Sequence, residues 1–413
     1  HRLSPNNVHG QPLAGPLFTA PRFCVVSCVF GRTMEAGKLM DMVEVFEGLE
    51  DWRNAQQTRH RLSELLTIAV CAVLSGADDF EDISQWGRMK LSWLRGFLSL
   101  DYGIASPDTF ERVFAVLDPK SFERAFREWV AGVIPALRQE QVIAIDGKTS
   151  RRTTSKAAAA PLHMVSAFAA EVGLVLGQVA TDQKSNEITA IPQLLRTLDV
   201  AGCIVTIDAM GTQTAIASEI RERGADYVLC VKDNHPKLLD SILLAQAGVG
   251  GALQAVSTWE SRNRGHGRDE WRRCWAFEAH GRLYKGEQWR DLKSFAVLER
   301  TRTVGEKTSV ERRYYIGSVA PDAEKFMHAV RSHWEVENRL HWCLDVQFGD
   351  DYARARAGHV AHNLALVRHI ALNLIRLNTS VKTSIKTKRL LAATSDEFRA
   401  TLLGLEVDED DDD

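Results

Sequence analysis

The sequence lacks the features that mark a secreted or membrane-bound chain. Seven cysteines, an odd number scattered from Cys24 to Cys343, cannot close a complete disulfide framework. Cys24 and Cys28 have no further Cys or His at zinc-ligand spacing, and neither do His266 and His280. No apolar run reaches the roughly 20 residues that span a bilayer. The apolar stretch 23–30 follows Pro16 and Pro21 without a starting Met, so it is not read as a signal peptide. Low-complexity segments are also missing from the body of the chain. What remains is the composition of a globular cytoplasmic protein, 45% apolar and 25% charged. Its 413 residues suffice for two or three domains.

A strong charge of one sign is missing too, because the formal net charge is −3. That balance hides a division. The tail 406–413 (EVDEDDDD) holds seven acids, and without it the chain carries +4. Residues 1–44 show no sustained period and are expected to be irregular, with the natural start nearer Met34. The segment 379–413 is expected to be a C-terminal extension ending in a solvated acidic tail.

Residues 45–138 read as a helical domain. The run 59–76 has apolar residues at helical spacing, and Ser106-Pro107-Asp108 supplies a cap and a first-turn proline for the next helix. Such short helices suit a DNA-reading helix-turn-helix and a structural bundle equally, and no basic recognition helix decides between them. At residue 142 the period changes. Strands are expected at 142–146, 162–170, 173–181, 203–208 and 226–231, with a hairpin turn at Glu171-Val172-Gly173. Helices are expected near 189–199, 213–223 and from His235-Pro236 onward. This order predicts a mixed sheet flanked by helices over 139–378. A β-rich insertion interrupts it at about 250–320, and helices follow at 322–347 and 361–377.

Three carboxylates stand out. Asp146 ends the run Val142-Ile143-Ala144-Ile145, and Asp208 ends Cys203-Ile204-Val205-Thr206-Ile207. A charge closing a buried strand is costly unless paired, hydrated or bound to metal, although an aspartate there also caps turns. Glu337 falls within the helical stripe Phe326, Val330, Trp334, Leu340, Leu344 and Phe348. Glu335 lies about 200° round the helix from it. Glu337 is therefore expected to face the core and Glu335 water. An Asp on the opening strand, an Asp ending the fourth and a Glu on a late helix follow the order of the ribonuclease-H-like fold.

Longer motifs surround these positions: Ala144-Ile145-Asp146-Gly147-Lys148-Thr149, Leu162-His163-Met164-Val165-Ser166-Ala167-Phe168, Lys184-Ser185-Asn186-Glu187-Ile188, Ile204-Val205-Thr206-Ile207-Asp208-Ala209-Met210-Gly211 and His333-Trp334-Glu335-Val336-Glu337-Asn338. Together they resemble the H-repeat-associated family of bacterial insertion-sequence transposases, from about Leu49 to Leu377. That resemblance implies a DDE transposase with Asp146, Asp208 and Glu337 as catalytic, metal-holding triad. Related transposases carry a Tyr-x2-Arg-x3-Glu-x6-Lys signature around the Glu. Here Val330, His333, Glu337 and Leu344 stand at those positions, so only the Glu is kept. Arg331, His333 and Arg339 are candidates to replace the lost DNA contacts.

Carboxylates are hard oxygen ligands suited to Mg²⁺ or Mn²⁺, and two such ions about 3.5–4 Å apart stabilise attacking and leaving oxygens in phosphodiester cleavage. Lys148, Arg151 and Arg152 follow Asp146, and Lys232, Asn234 and His235 follow a strand end. Arg354, Arg356 and Arg368 are candidates to line a DNA path. The segment 260–313 holds fourteen Lys or Arg against nine acids, with Trp271, Trp275 and Tyr284 between them. The expected partner is double-stranded DNA, as terminal inverted repeats and target. A homodimer on that DNA, near the nucleoid, follows from the resemblance. The alternative is a transposase-derived protein that binds DNA but is catalytically silent.

Overall fold

The computed structural model describes residues 38–405 except 55, 57, 134–136, 151–160, 182–185, 248–253, 266 and 353–356. Six helices come first: α1 (Lys38–Glu47), α2 (Leu62–Leu74), α3 (Phe80–Met89), α4 (Leu91–Leu94), α5 (Pro107–Val116) and α6 (Pro119–Val133). Ser106 caps α5 by accepting from the Thr109 amide, with Pro107 at the first position. In α2 all thirteen residues are buried, which its largely apolar sequence permits, and the buried Glu64 carboxylate accepts from the Leu100 amide.

Strands β1 (Val142–Thr149), β2 (His163–Ala169) and β3 (Leu174–Thr181) form an antiparallel meander. Gly173 makes the turn between β2 and β3 at φ 75, and its amide donates to the Ala169 carbonyl. Then α7 (Glu187–Leu195), β4 (Ile204–Ile207), α8 (Thr214–Glu222), β5 (Asp226–Val231) and α9 (Pro236–Gln246) alternate. β4 pairs parallel with β1 and with β5. The alternation expected from the periods is present, except that β1 runs past Asp146 to Thr149.

The β-rich segment comprises β6 (Ser257–Gly265), β7 (Arg268–Glu278), β8 (Ser294–Val304) and β9 (Lys307–Gly317). It is continuous with the main sheet, because β9 pairs antiparallel with β5. One nine-stranded sheet results, in the order β3-β2-β1-β4-β5-β9-β8-β7-β6. The chain closes with α10 (Ala323–Glu335), the π-turn Val336–His341, α11 (Trp342–Gln347), α12 (Val360–Leu377), α13 (Ile385–Thr394) and α14 (Asp396–Leu403).

α12 joins the helical segment to the sheet. It packs on α2, and buried polar pins fix its register. Asn363 donates to the carbonyls of Phe114 and Leu117, His362 pairs with Glu123, and Asn373 exchanges two hydrogen bonds with the Val175 backbone. Polar groups are tolerated at such depth when each is bonded. A continuous apolar core runs from Phe46 and Leu66 through Ile143 and Val205 to Phe326 and Leu366. No described helix is long and apolar enough to cross a membrane.

Candidate active site

The parallel register of β1 and β4 ends with Ile145 opposite Ile207. The next residue in each segment is an aspartate, so Asp146, within β1, and Asp208, just past the carboxyl end of β4, emerge side by side where the parallel pairing stops. In open α/β sheets that end is where ligands bind. Asp208 also caps the following turn, its Oδ1 accepting from the amides of Met210 at 3.0 Å and Gly211 at 3.3 Å. Capping and a place in the site are thus compatible in one residue. Asp146 Oδ1 accepts from the Gly147 amide. Burial raises the Asp146 carboxyl above its ordinary value, and the Asp208 charge adds to this while His341 and His333 oppose it.

Glu337 arrives from the other side. The sequence predicts it in the core, but its side chain is 60% exposed. It opens onto the cavity at the strand ends rather than the packed interior, and the stretch Val336–His341 that carries it is wound as a π-turn. Phe326, Val330, Leu340, Leu344 and Phe348 keep their buried places, whereas Trp334 is turned out to 46% exposure. Glu337 then lies beside Asp146, with His341 Nδ1 3.1 Å from Glu337 Oε2 and 3.7 Å from Asp146 Oδ2. The His341 hydrogen bond holds the Glu337 carboxyl below its usual value. One ligand atom each from Asp146, Glu337 and His341 lie within 4.8 Å of one another.

The π-turn is pinned from behind. Arg339 donates to the Ala170 carbonyl at 2.7 Å, and Arg376 donates to the carbonyls of Gly173 and Arg339. Both guanidinium groups sit over the Phe168 ring. A methyl group on Gly173 would strike Arg339.

Asp146, Asp208, Glu337 and His333 share a cavity of about 280 Å³ with Lys232 and Arg313. His333 Nδ1 meets the Thr206 hydroxyl at 3.0 Å, which fastens α10 to β4. Burial keeps His333 below its usual value, against the pull of Asp146 and Asp208. The Arg313 guanidinium lies 4.8 Å from the centre of the Trp334 ring.

The other candidates fall into separate groups. Arg331 is exposed on α10. Asn234 donates to the Ala209 carbonyl and His235 Nε2 meets the Thr212 carbonyl, so both brace the loop after Asp208. Lys148 points inward, 2.7 Å from both Asp345 and Asp350. Arg368 is 3% exposed and bonded to Asp350 at 2.9 Å. Neither offers its charge to solvent. Arg151, Arg152, Arg354 and Arg356 lie outside the described residues, as does the acidic tail. The sequence reading passed over His341, Arg313 and the exposed face bearing Trp334, Trp342 and Val346. The four-residue interval from Glu337 to His341 was the available signal, since it sets two ligands on one side of a helix.

Comparison with known proteins covers most of the chain. A family described as "Transposase DDE domain" matches residues 137–374, and the "DDE_Tnp_1-associated" family matches 43–130. The chain is 38% identical over 369 residues to YncI of Escherichia coli O157:H7, which bears a transposase name, covering 86% of this chain and 92% of that one. It is 35% identical over 376 residues to the H repeat-associated protein YhhI of Escherichia coli strain K12, covering 90% and 98%. Among solved structures, a piggyBac transposase synaptic complex with hairpin DNA aligns over 90% of this chain and 79% of that one. Its 9% identity and TM-score of 0.40 are too low to carry an argument. The chain belongs to the DDE transposase family, among its H repeat-associated members.

Proposed function

We propose that this protein is an insertion-sequence transposase that binds double-stranded DNA at the element's terminal inverted repeats, cuts it and joins it to target DNA. The observation that carries the reading is the register of β1 and β4, which sets Asp146 beside Asp208, with Glu337 on the π-turn next to Asp146 and all three carboxylates lining one cavity. The strand order β3-β2-β1-β4-β5 with its meander-then-parallel pattern supports a ribonuclease-H-like core.

The donor set of carboxylate oxygens fits a hard divalent cation, and Asp146, Asp208 and Glu337 would hold Mg²⁺ or Mn²⁺, in two ions on this reading. Bound there, such ions supply an activated water and charge stabilisation for the phosphodiester's oxygens. The chain's own residues do the rest. Lys232 and Arg313 line the same cavity and present positive charge to a phosphate. Thr206 and His333 fix α10 over the strand ends. Exposed Trp334, on the wall of this cavity, and exposed Trp342, further along the same helical stretch, offer ring faces to unstacked bases. Pairing two element ends calls for two copies of the chain.

The test is a Mg²⁺- or Mn²⁺-dependent cleavage assay on the element's terminal inverted repeats, with Asp208→Ala as control. Nicking by the wild type and none by the variant is expected. DNA binding without metal-dependent nicking by the wild type would favour the silent DNA-binding alternative.

A further inference from the structure

His341 stands beside two of the carboxylates and is only 5% exposed. Its Nδ1 lies 3.1 Å from Glu337 Oε2 and 3.7 Å from Asp146 Oδ2. Donors sharing one cation at bond lengths of about 2.0–2.2 Å stand no more than about 4.4 Å apart, so these separations fit a common ion. The opposite ring nitrogen, Nε2, is buried and makes no hydrogen bond among the described residues. His341 and His369 line a void of about 10 Å³, together with Lys148, Ser166 and Asp350. That is the room of a single water. Both ring nitrogens of His369 are likewise buried without a hydrogen bond among the described residues.

We propose that His341 binds, through Nδ1, the cation held by Asp146 and Glu337, making that position a mixed oxygen–nitrogen site. A ligating imidazole places its proton on the far nitrogen, where an outer polar partner fixes the ring. Here that nitrogen is Nε2, and the small polar void with His369 on its wall is where the partner sits. The sequence places the two donors of the π-turn four residues apart, at Glu337 and His341. A nitrogen donor shifts preference away from Mg²⁺, which is served best by oxygen, toward first-row transition ions. The inference rests on the carboxylate site proposed above and adds one ligand and an ion preference to it.

The experiment uses the full chain with Mn²⁺ alone as probe. Pulsed electron paramagnetic resonance reads ¹⁴N coupling to bound Mn²⁺, and titration gives the affinities for Mn²⁺ and for competing Mg²⁺. Wild type is expected to show ¹⁴N coupling that His341→Gln lacks, with Mn²⁺ affinity falling by roughly tenfold or more and Mg²⁺ affinity changing far less. Mn²⁺ bound by the wild type without ¹⁴N coupling overturns the inference but leaves the carboxylate site standing. Coupling that survives in His341→Gln assigns it to another imidazole and also overturns the inference. Failure of the wild type to bind Mn²⁺ overturns the carboxylate site itself. Absence of coupling in the wild-type spectrum overturns the inference even where the variant folds poorly, and His333→Gln, which should keep the coupling, separates the two imidazoles in that case.

Discussion

At the scale of single residues, Asp146 carries a cost that its function explains. Burial raises its carboxyl, with Asp208 adding to the shift, so the folded chain binds that proton more tightly than the unfolded chain. The stability this provides is complete below the unfolded value and is lost as pH rises through the folded one. Asp146→Asn should therefore melt about 1–4 °C above wild type at pH 7, with the gain vanishing in acid, as followed by circular dichroism. Asp350 is the opposite case. Burial alone would raise its carboxyl, but Arg368 and Lys148 overcome that and hold it well below the usual range. Its contribution is present above the unfolded value and lost as pH falls through the folded one. Asp350→Asn should lower the free energy of unfolding by about 3–5 kcal/mol at pH 7 in urea titration, because Arg368 is left buried without its partner. Lys148 and Arg368 read as DNA contacts in the sequence. Asp350 is 202 positions from Lys148 and 18 from Arg368, on a different element from both, so neither pair leaves a local signal and the inward role emerged only from the fold.

Among elements, legibility followed from periodicity. The strand Asp226–Val231 and the meander strands were readable because their largely apolar runs are bounded by Pro161, Gly173, Asp182 and Asp226. The π-turn was not, because the apolar stripe was projected through it at a constant helical phase. That error put Glu337 in the core while still selecting it over Glu335. Continuation of β6–β9 into the main sheet was also hidden, since alternation predicts strands but not their partners. The π-turn's anchor gives a prediction. Gly173→Ala adds a methyl at φ 75 against Arg339. It should cost about 1–2 kcal/mol of stability and slow cleavage more than it weakens DNA binding, as measured by single-turnover kinetics beside a binding titration. On the same helical stretch, Trp342 is 55% exposed. Trp342→Ala should weaken binding to DNA ends with unpaired bases by about 1–3 kcal/mol, with little change on fully paired duplex.

Across the whole molecule, one sheet carries Asp146 and Asp208 on its inner strands β1 and β4 and a charged set of strands toward one edge. In that edge Glu270 meets Arg272, Arg300 and Arg302, and Glu299 meets Arg273 and Arg312, so each acid serves several guanidinium groups. The positive surplus there and at Lys232 and Arg313 predicts DNA binding that weakens steeply with salt. Replacing Lys232 by Gln should reduce the slope of log affinity against log salt by about 1. The central claim is that three carboxylates far apart in sequence act as one cutting site. It is tested most directly by a side-by-side Mn²⁺-dependent nicking assay of Asp146→Asn, Asp208→Asn, Glu337→Gln and Glu335→Gln on terminal-repeat DNA. The first three should bind DNA but fail to nick it, and Glu335→Gln should nick like wild type. Nicking that survives loss of Glu337, or is lost equally without Glu335, would contradict the account.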